Sequence, residues 1–205
     1  MNFAKILPMA FVMIAGPQIL SSIFLATSAN WRRNCAAYVI GASLSITLFV
    51  TAAYLLSNGV ANGGSSNDTI YVIVLVLLLV AMVHTYRTRK TAEPPKWMGT
   101  LQTASPGFSF KLGFLLLGVF PTDILTSVAV GSYLASEGDP WSDAIPFIVL
   151  TLLFLGSPAL TLLALRERGQ RFLPKARDWM NTNSWLVNEV VLVFFVVITI
   201  NSLAG

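Results

Sequence analysis

Six long apolar runs occupy most of this 205-residue sequence, and they restrict the possible folds more than any other feature. Each run is close to the roughly 20 residues that an α-helix needs to cross a hydrocarbon layer about 30 Å thick. Only 11% of the residues are charged, whereas about a quarter of the residues of a soluble domain are charged. The sequence therefore predicts an all-α integral membrane protein with six transmembrane helices. The runs are Ile6 to Ala26, Ala36 to Leu56, Ile70 to Tyr86, Leu112 to Ala135, Ala144 to Leu165 and Trp185 to Leu203.

Lysine and arginine are distributed unevenly among the loops between these runs. Short cytoplasmic loops of membrane proteins are enriched in both residues, so basic loops predict the cytoplasmic side. The loops after the first, third and fifth runs are basic, and the others carry Asp68, Glu137, Asp139 and Asp143. Both termini are therefore predicted outside the plasma membrane. The basic loop residues are Arg32, Arg33, Arg87, Arg89, Lys90, Lys96, Lys111, Arg166, Arg168, Arg171, Lys175 and Arg177.

The net charge of +4 is explained by these loops, so no nucleic-acid partner is predicted. Basic residues at a membrane surface attract anionic headgroups by about 1 kcal/mol each, which predicts membrane lipids as partners. Residues 166–183 mix basic residues with Phe172, Leu173, Trp179 and Met180, and this mixture predicts an amphipathic helix on the membrane surface. The single cysteine, Cys35, excludes an internal disulfide and a two-cysteine thiol relay.

Three apolar runs precede a polar connection and three follow it. Because three crossings reverse the direction of the chain, the second half enters the membrane from the opposite side, which predicts two inverted three-helix repeats. The predicted boundaries are 1–86 for the first repeat, 87–111 for a cytoplasmic connector and 112–205 for the second repeat. PQILSS at 17–22 and PTDILTS at 121–127 occupy similar places in the two halves. Their prolines predict that helices one and four are broken near the membrane midplane.

Asp123 is the least expected residue in the apolar runs. It lies eleven residues beyond Leu112, or roughly 16 Å into the hydrocarbon layer. An ionised carboxylate facing lipid there costs at least about 2.5 to 3.5 kcal/mol, so its side chain is expected to face the protein interior or water, or to be protonated. Two interpretations stay open: the carboxyl caps the second half of a broken helix, or it binds substrate or protons. Gln18, which offers a donor and an acceptor, is expected opposite it.

The predicted substrate or ion site follows from these polar residues in the apolar runs. Serines also suit close helix packing. Glu189 suits a structural role equally well, either snorkelling to the membrane surface or paired with an arginine. His84 is interpreted as an interfacial residue. The sequence contains no metal-ligand cluster, phosphate-binding glycine loop or HExxH motif, so no metal, cofactor or enzymatic activity is predicted. The candidate binding residues are Pro17, Gln18, Ser21, Ser22, Pro121, Thr122, Asp123, Thr126 and Glu189.

Four segments are distinctive when taken together: GPQ at 16–18, EPPKWMGTLQTASPGFSFKLGF at 93–114, FPTDIL at 120–125 and ARDWMNTNSWLVNEVVLVFF at 176–195. They resemble the peptidoglycolipid-addressing (GAP, or Sap) family of the LysE-type exporter superfamily. The resemblance implies six spans in two inverted halves, a homodimer, and export of a small solute or help in moving a lipid across the plasma membrane. Pro17 and Pro121 fall on the family's helix-breaking prolines. Relatives tend to have an Asn-Pro-Lys-like turn in span four, where this sequence has Phe120, Pro121, Thr122 and Asp123. An acidic residue in place of a basic one suits a cationic solute or proton coupling better than an anion.

The leading hypothesis is a secondary transporter that exports a small solute, amino acid-like or cationic, or a lipid-related molecule by alternating access. The alternative is a non-transporting accessory protein that delivers a cell-envelope glycolipid to a larger machine. A membrane enzyme is the weakest hypothesis, because the sequence places no evident nucleophile or metal partner with Asp123.

Overall fold

The computed structural model describes residues 3–14, 16–60 and 96–183, together with the isolated positions 193 and 196. Every regular element in these ranges is helical. The predicted third span and, apart from positions 193 and 196, the predicted sixth span lie outside the described residues, as do His84 and Glu189. The helices are α1 (Phe3–Ile14), α2 (Pro17–Ala26), α3 (Trp31–Val60), α4 (Pro106–Val119), α5 (Pro121–Glu137), α6 (Ile145–Leu165) and α7 (Glu167–Thr182), with short 3-10 helices at Lys96–Thr103 and Trp141–Ala144.

Two helical stretches, Trp31–Ser57 and Trp141–Leu165, are long and apolar enough to cross a membrane. The α4–α5 pair qualifies as a third crossing, bent by 68° at its break. On α3, Ile40, Leu44 and Leu48 are each more than half exposed and recur every four residues, as expected of a face turned to lipid. The prediction of an all-helical membrane protein is therefore confirmed, while the count of six spans stays a prediction.

The two prolines that looked misplaced in apolar runs are the first residues of new helices. Gly16 precedes Pro17 with φ 94° and ψ −135°, a backbone conformation that glycine adopts without strain. Phe120 precedes Pro121 in an extended conformation, which is the usual backbone before proline. A proline at the first helical position removes no intrahelical hydrogen bond. Both predicted helix breaks are thus present, and their depth in a membrane stays a prediction.

The α4–α5 pair runs alongside α3 in the same direction. Because the contacts advance together along both partners, the pair continues in one direction along α3 and does not turn back on itself. The α4–α5 break lies near Ser45, about halfway along Trp31–Ser57. Parallel direction is the relation predicted between the second and fourth spans. In order, the close contacts are Tyr38 with Gly113, Ser45 with Gly118 and Val50 with Gly131.

Helix α4 begins six residues before the predicted start of the fourth span. Ser105 lies ahead of its first turn, and its hydroxyl accepts a hydrogen bond from the backbone N–H of Phe108 at 3.3 Å. Pro106 occupies the first helical position. A serine cap followed by proline is a favoured helix start. Sequence analysis places residues 106–111 in the connector, because hydropathy detects only the apolar part of a helix and this first part is more polar.

The described helices place opposite charges at the two ends of the bundle. Trp141, at the start of the Trp141–Leu165 stretch, donates from Nε1 to Thr51 Oγ1 at 3.1 Å in the second half of α3. Leu163, near the end of α6, lines the same groove as Trp31 at the start of α3, so α6 is antiparallel to α3. The end at the start of α3 is therefore basic in net charge, with Arg32, Arg33, Lys111, Arg166, Arg168, Arg171 and Lys175 beside the acidic Glu167 and Asp178, and the other end carries Glu137, Asp139 and Asp143. Which end is cytoplasmic stays a prediction.

The core is formed by reciprocal packing between the two parts of the chain. Helix α3 packs along both α4 and α5, and α6 packs against both α1 and α2. Each broken pair thus contacts the continuous helix of the other part, and α3 and α6 also contact each other. The fully buried large side chains include Met13, Leu25, Tyr38, Ile46, Leu117, Leu134, Phe147 and Leu155.

Helix α7 has the amphipathic character that the sequence predicted. Leu173 is buried, and Gly169 lies directly against the α6 backbone near Thr161. Phe172 and Trp179 occupy a neighbouring strip and are more than half exposed. An exposed aromatic strip on a basic helix suits a position at the membrane surface.

Candidate functional site

The two helix breaks meet through a hydrogen bond between side chains. Gln18 Nε2 donates to Asp123 Oδ2 at 2.5 Å. Gln18 lies in the first turn of α2 and Asp123 in the first turn of α5, so the bond joins the N-terminal ends of two half-helices. Their side chains are 1% and 0% exposed. The partial positive charge of both helix ends favours a carboxylate at this position.

Asp123 does not cap its own helix by hydrogen bonding. Phe120 precedes the helix and supplies no side-chain cap. The Asp123 carboxylate accepts instead from Gln18 and, at the longer distance of 3.5 Å, from Thr122 Oγ1. The hydrogen-bonded form of the capping interpretation is therefore not observed, although the helix dipole still favours the carboxylate.

Two further buried hydrogen bonds hold α2 in place beside Asp123. Tyr38 Oη, on α3, donates to the backbone oxygen of Gln18 at 2.9 Å. Ser22 Oγ donates to the backbone oxygen of Leu155, on α6, at 2.5 Å. The first turns of α2 are thus bonded to both continuous helices. Sequence analysis missed Tyr38 because a tyrosine near the start of an apolar run is typical of the interfacial aromatic belt.

Several buried polar atoms near the breaks have no hydrogen-bond partner. Among the described residues these include Gln18 Oε1, Ser21 Oγ and Ser45 Oγ. Ser21 lies one turn after Gln18, and Ser45 lies against Gly118 beside the second break. Buried polar atoms are nearly always paired, so each exception needs an explanation such as a water, an ion or a ligand. All three oxygens can accept a hydrogen bond from a water or a protonated amine, and they can also coordinate a metal cation.

The other predicted site residues differ in their placement. The Thr126 hydroxyl donates to the Thr122 backbone oxygen within α5 at 2.7 Å. The Thr122 side chain is exposed and Pro17 is half-buried, while Pro121 contributes the first residue of α5. Glu189 lies outside the described residues. The structure thus gathers Gln18, Ser21, Ser22 and Asp123 near the breaks.

Ser127 is a buried polar residue near the breaks that sequence analysis did not include among the site residues. Ser127 is fully buried, and its hydroxyl lies 4.0 Å from Met13 Sδ, so it joins α5 to α1. A serine in an apolar helix gave no signal that separates this contact from ordinary packing.

Within the described ranges, no group of three or more His, Cys, Asp or Glu side chains is placed to hold a metal ion.

Fold and site together define an all-helical membrane protein in which two half-helices meet at a buried carboxylate. The chain belongs to the family described as Sap, sulfolipid-1-addressing protein, whose sequence model matches residues 6–202. This confirms the family predicted from the resemblance, and the match includes both breaks and Asp123. No curated protein and no solved structure matches the chain significantly.

Proposed function

We propose that this chain is a secondary transporter that exports a small cationic or amino acid-like solute, or a lipid-related molecule, by alternating access. The buried hydrogen bond from Gln18 to Asp123 is the observation that carries the proposal. It joins the starts of two half-helices, and transporters built from inverted repeats place their binding sites between such discontinuous helices.

The reciprocal packing of the bundle supports the inverted-repeat part of this proposal. Each broken pair lies on the continuous helix of the other part. If the two repeats are related by a pseudo-two-fold axis, each contact of the first broken pair with the second repeat has an equivalent contact of the second broken pair with the first repeat. In such an arrangement, a movement of one repeat relative to the other changes the contact between α2 and α5, where Gln18 and Asp123 meet.

Competition for the Asp123 carboxylate provides a mechanism for alternating access. A buried carboxylate needs a donor or a positive charge, and Gln18 Nε2 supplies the donor in this conformation. A cation or a protonated amine that binds Asp123 displaces that donor, and a proton weakens the bond because it removes the negative charge of the carboxylate. Either change favours release of α2 from α5. The ligand then binds better to the separated state, and a ligand shifts a conformational equilibrium only by such a difference in affinity. Gln18 Oε1 and Ser21 Oγ provide acceptors for the incoming donor.

Flux measurements on proteoliposomes test this proposal directly. Asp123→Asn keeps an oxygen that can accept from Gln18 but removes the carboxylate, so we expect loss of proton-linked flux with the fold retained. Ser57→Ala is a matched control, because it removes a hydroxyl that is paired with Ser132 at 2.9 Å, away from the breaks. Candidate cations and amino acids are tested with an internal pH dye and radiolabelled solutes. Unchanged flux of every transported solute in Asp123→Asn would exclude the carboxylate from the mechanism.

A second candidate function is delivery of a cell-envelope glycolipid as a non-transporting accessory protein. The family description and the exposed aromatic strip of α7 favour it. Purification from native membranes distinguishes the two functions. A stoichiometric partner that is required for lipid delivery supports the accessory role, whereas flux by the purified chain alone excludes it.

A further inference from the structure

A lateral groove of about 540 Å³ lies between residues 31–39 at the start of α3 and residues 149–163 of α6. Its volume is in the range of small-molecule binding sites. Cys35 and Val39 form part of one wall, and Leu153 and Leu160 form part of the other. Both leucines are about half exposed, so within the described part of the chain the groove is open on its outer side. Gly156 leaves space within it, because a Cβ added there meets no atom within 4 Å.

One end of this groove carries a positive charge. Arg32 lines the groove, and its guanidinium lies over the ring of Trp31, 5.3 Å from the centroid. Arg32 and Arg33 lie in the first turn of α3, where the helix dipole disfavours cations. Helix stability therefore does not explain these arginines. The groove is therefore apolar along most of its lining and has a positive charge at the basic end of the bundle.

We propose that this groove binds an acyl chain of an anionic membrane lipid whose sulfate or phosphate group lies on Arg32. A polar solute would lose its hydration in the groove and find few hydrogen-bond partners there. Both walls belong to the two stretches that are long and apolar enough to cross a membrane, so acyl chains have direct access to the open side. The complementary charge of Arg32 favours an anionic headgroup over a zwitterionic one. The inference does not depend on transport through the breaks.

Native mass spectrometry of the purified full chain tests this site without measuring flux. The protein is titrated with phosphatidylglycerol, with a sulfated glycolipid and with phosphatidylcholine. Gly156→Leu fills the groove, and Gly107→Leu is its matched control because Gly107 is also open and lies outside the groove. Arg32→Gln removes the charge, and Arg33→Gln removes a neighbouring charge that does not line the groove.

We expect one anionic lipid to be retained by wild type and by both controls, and to be lost from Gly156→Leu. Arg32→Gln is expected to weaken binding about fivefold, as removal of one basic residue at a membrane surface does. Stronger retention of the sulfated or of the phosphorylated lipid identifies the preferred headgroup.

Two results of this experiment would contradict the proposal. Equal lipid retention by wild type and Gly156→Leu overturns the proposal. Loss of a dimer mass in Gly156→Leu, with lipid retention unchanged, shows that a second copy of the chain covers the groove and also overturns it. Because lipid is counted without transport, failure here leaves the flux result unaffected, and loss of flux leaves the lipid count unaffected.

Discussion

At the scale of single residues, the adjacent serines Ser21 and Ser22 on α2 differ in hydrogen bonding. Ser22 Oγ is bonded to the Leu155 backbone oxygen, whereas Ser21 Oγ is buried without a partner in the described part of the chain. We predict that Ser22→Ala lowers the free energy of unfolding by about 1 kcal/mol, the usual net value of one hydrogen bond. Ser21→Ala should be neutral or stabilising, because an unpaired buried hydroxyl costs free energy.

Thermal unfolding of the two variants in the same detergent measures this difference. Ser21→Ala should nevertheless reduce flux if its hydroxyl accepts a bond from the substrate. An equal loss of stability in both variants would mean that the Ser21 hydroxyl is already paired in the folded protein. The case for a ligand near Ser21 would then be lost.

At the scale of elements, the contact between α3 and α4 is made by backbone against backbone. A Cβ at Gly41 would lie 2.1 Å from the backbone oxygen of Phe110, and one at Gly113 would lie 2.1 Å from that of Tyr38. We predict that Gly41→Ala and Gly113→Ala each destabilise the protein by at least about 1–3 kcal/mol, because the helices must separate. The midpoint of thermal unfolding and the yield of monodisperse protein are the measurements.

Gly107→Ala is the control for this prediction, since a Cβ there meets no atom within 4 Å. Alanine is a better helix former than glycine by at most about 1 kcal/mol, so this variant should be neutral or more stable. If Gly41→Ala behaved like Gly107→Ala, the close contact between α3 and α4 would be wrong.

At the scale of the whole molecule, the separation of charge predicts how the protein lies in the membrane. Glu137 is exposed at the acidic end of the bundle, and Gln170 is exposed on basic α7. In a Cys35→Ala background, we predict that Glu137→Cys reacts with a membrane-impermeant thiol reagent in intact cells. Gln170→Cys should react only after the membrane is permeabilised, because basic segments are retained in the cytoplasm.

The result of this labelling experiment is independent of the transport mechanism. The reverse pattern would show that the basic end lies outside, and both termini would then be predicted inside. Labelling of both positions in intact cells would show that the two ends of the described bundle are not separated by a membrane.

The sequence by itself determined that this protein folds in a membrane and where two of its helices break. Apolar runs require a hydrocarbon environment through the transfer free energy of their own side chains, whatever their neighbours are. Gly16 and the prolines at 17 and 121 act on their own backbone, so the starts of α2 and α5 could be read locally. The position of Asp123 in an apolar run indicated a polar interior before its partner was known.

Only the tertiary structure decided which groups meet. Gln18 and Asp123 are separated by 105 positions, and their contact depends on how α2 and α5 rotate and pack. The partner of Ser22 is a backbone oxygen on α6, and a backbone oxygen has no signature in the sequence. Tyr38 points inward although its place in the run is typical of an interfacial residue. The lateral groove beside Arg32 likewise exists because α3 and α6 leave space between them at Gly156, a consequence of packing over long sequence distance.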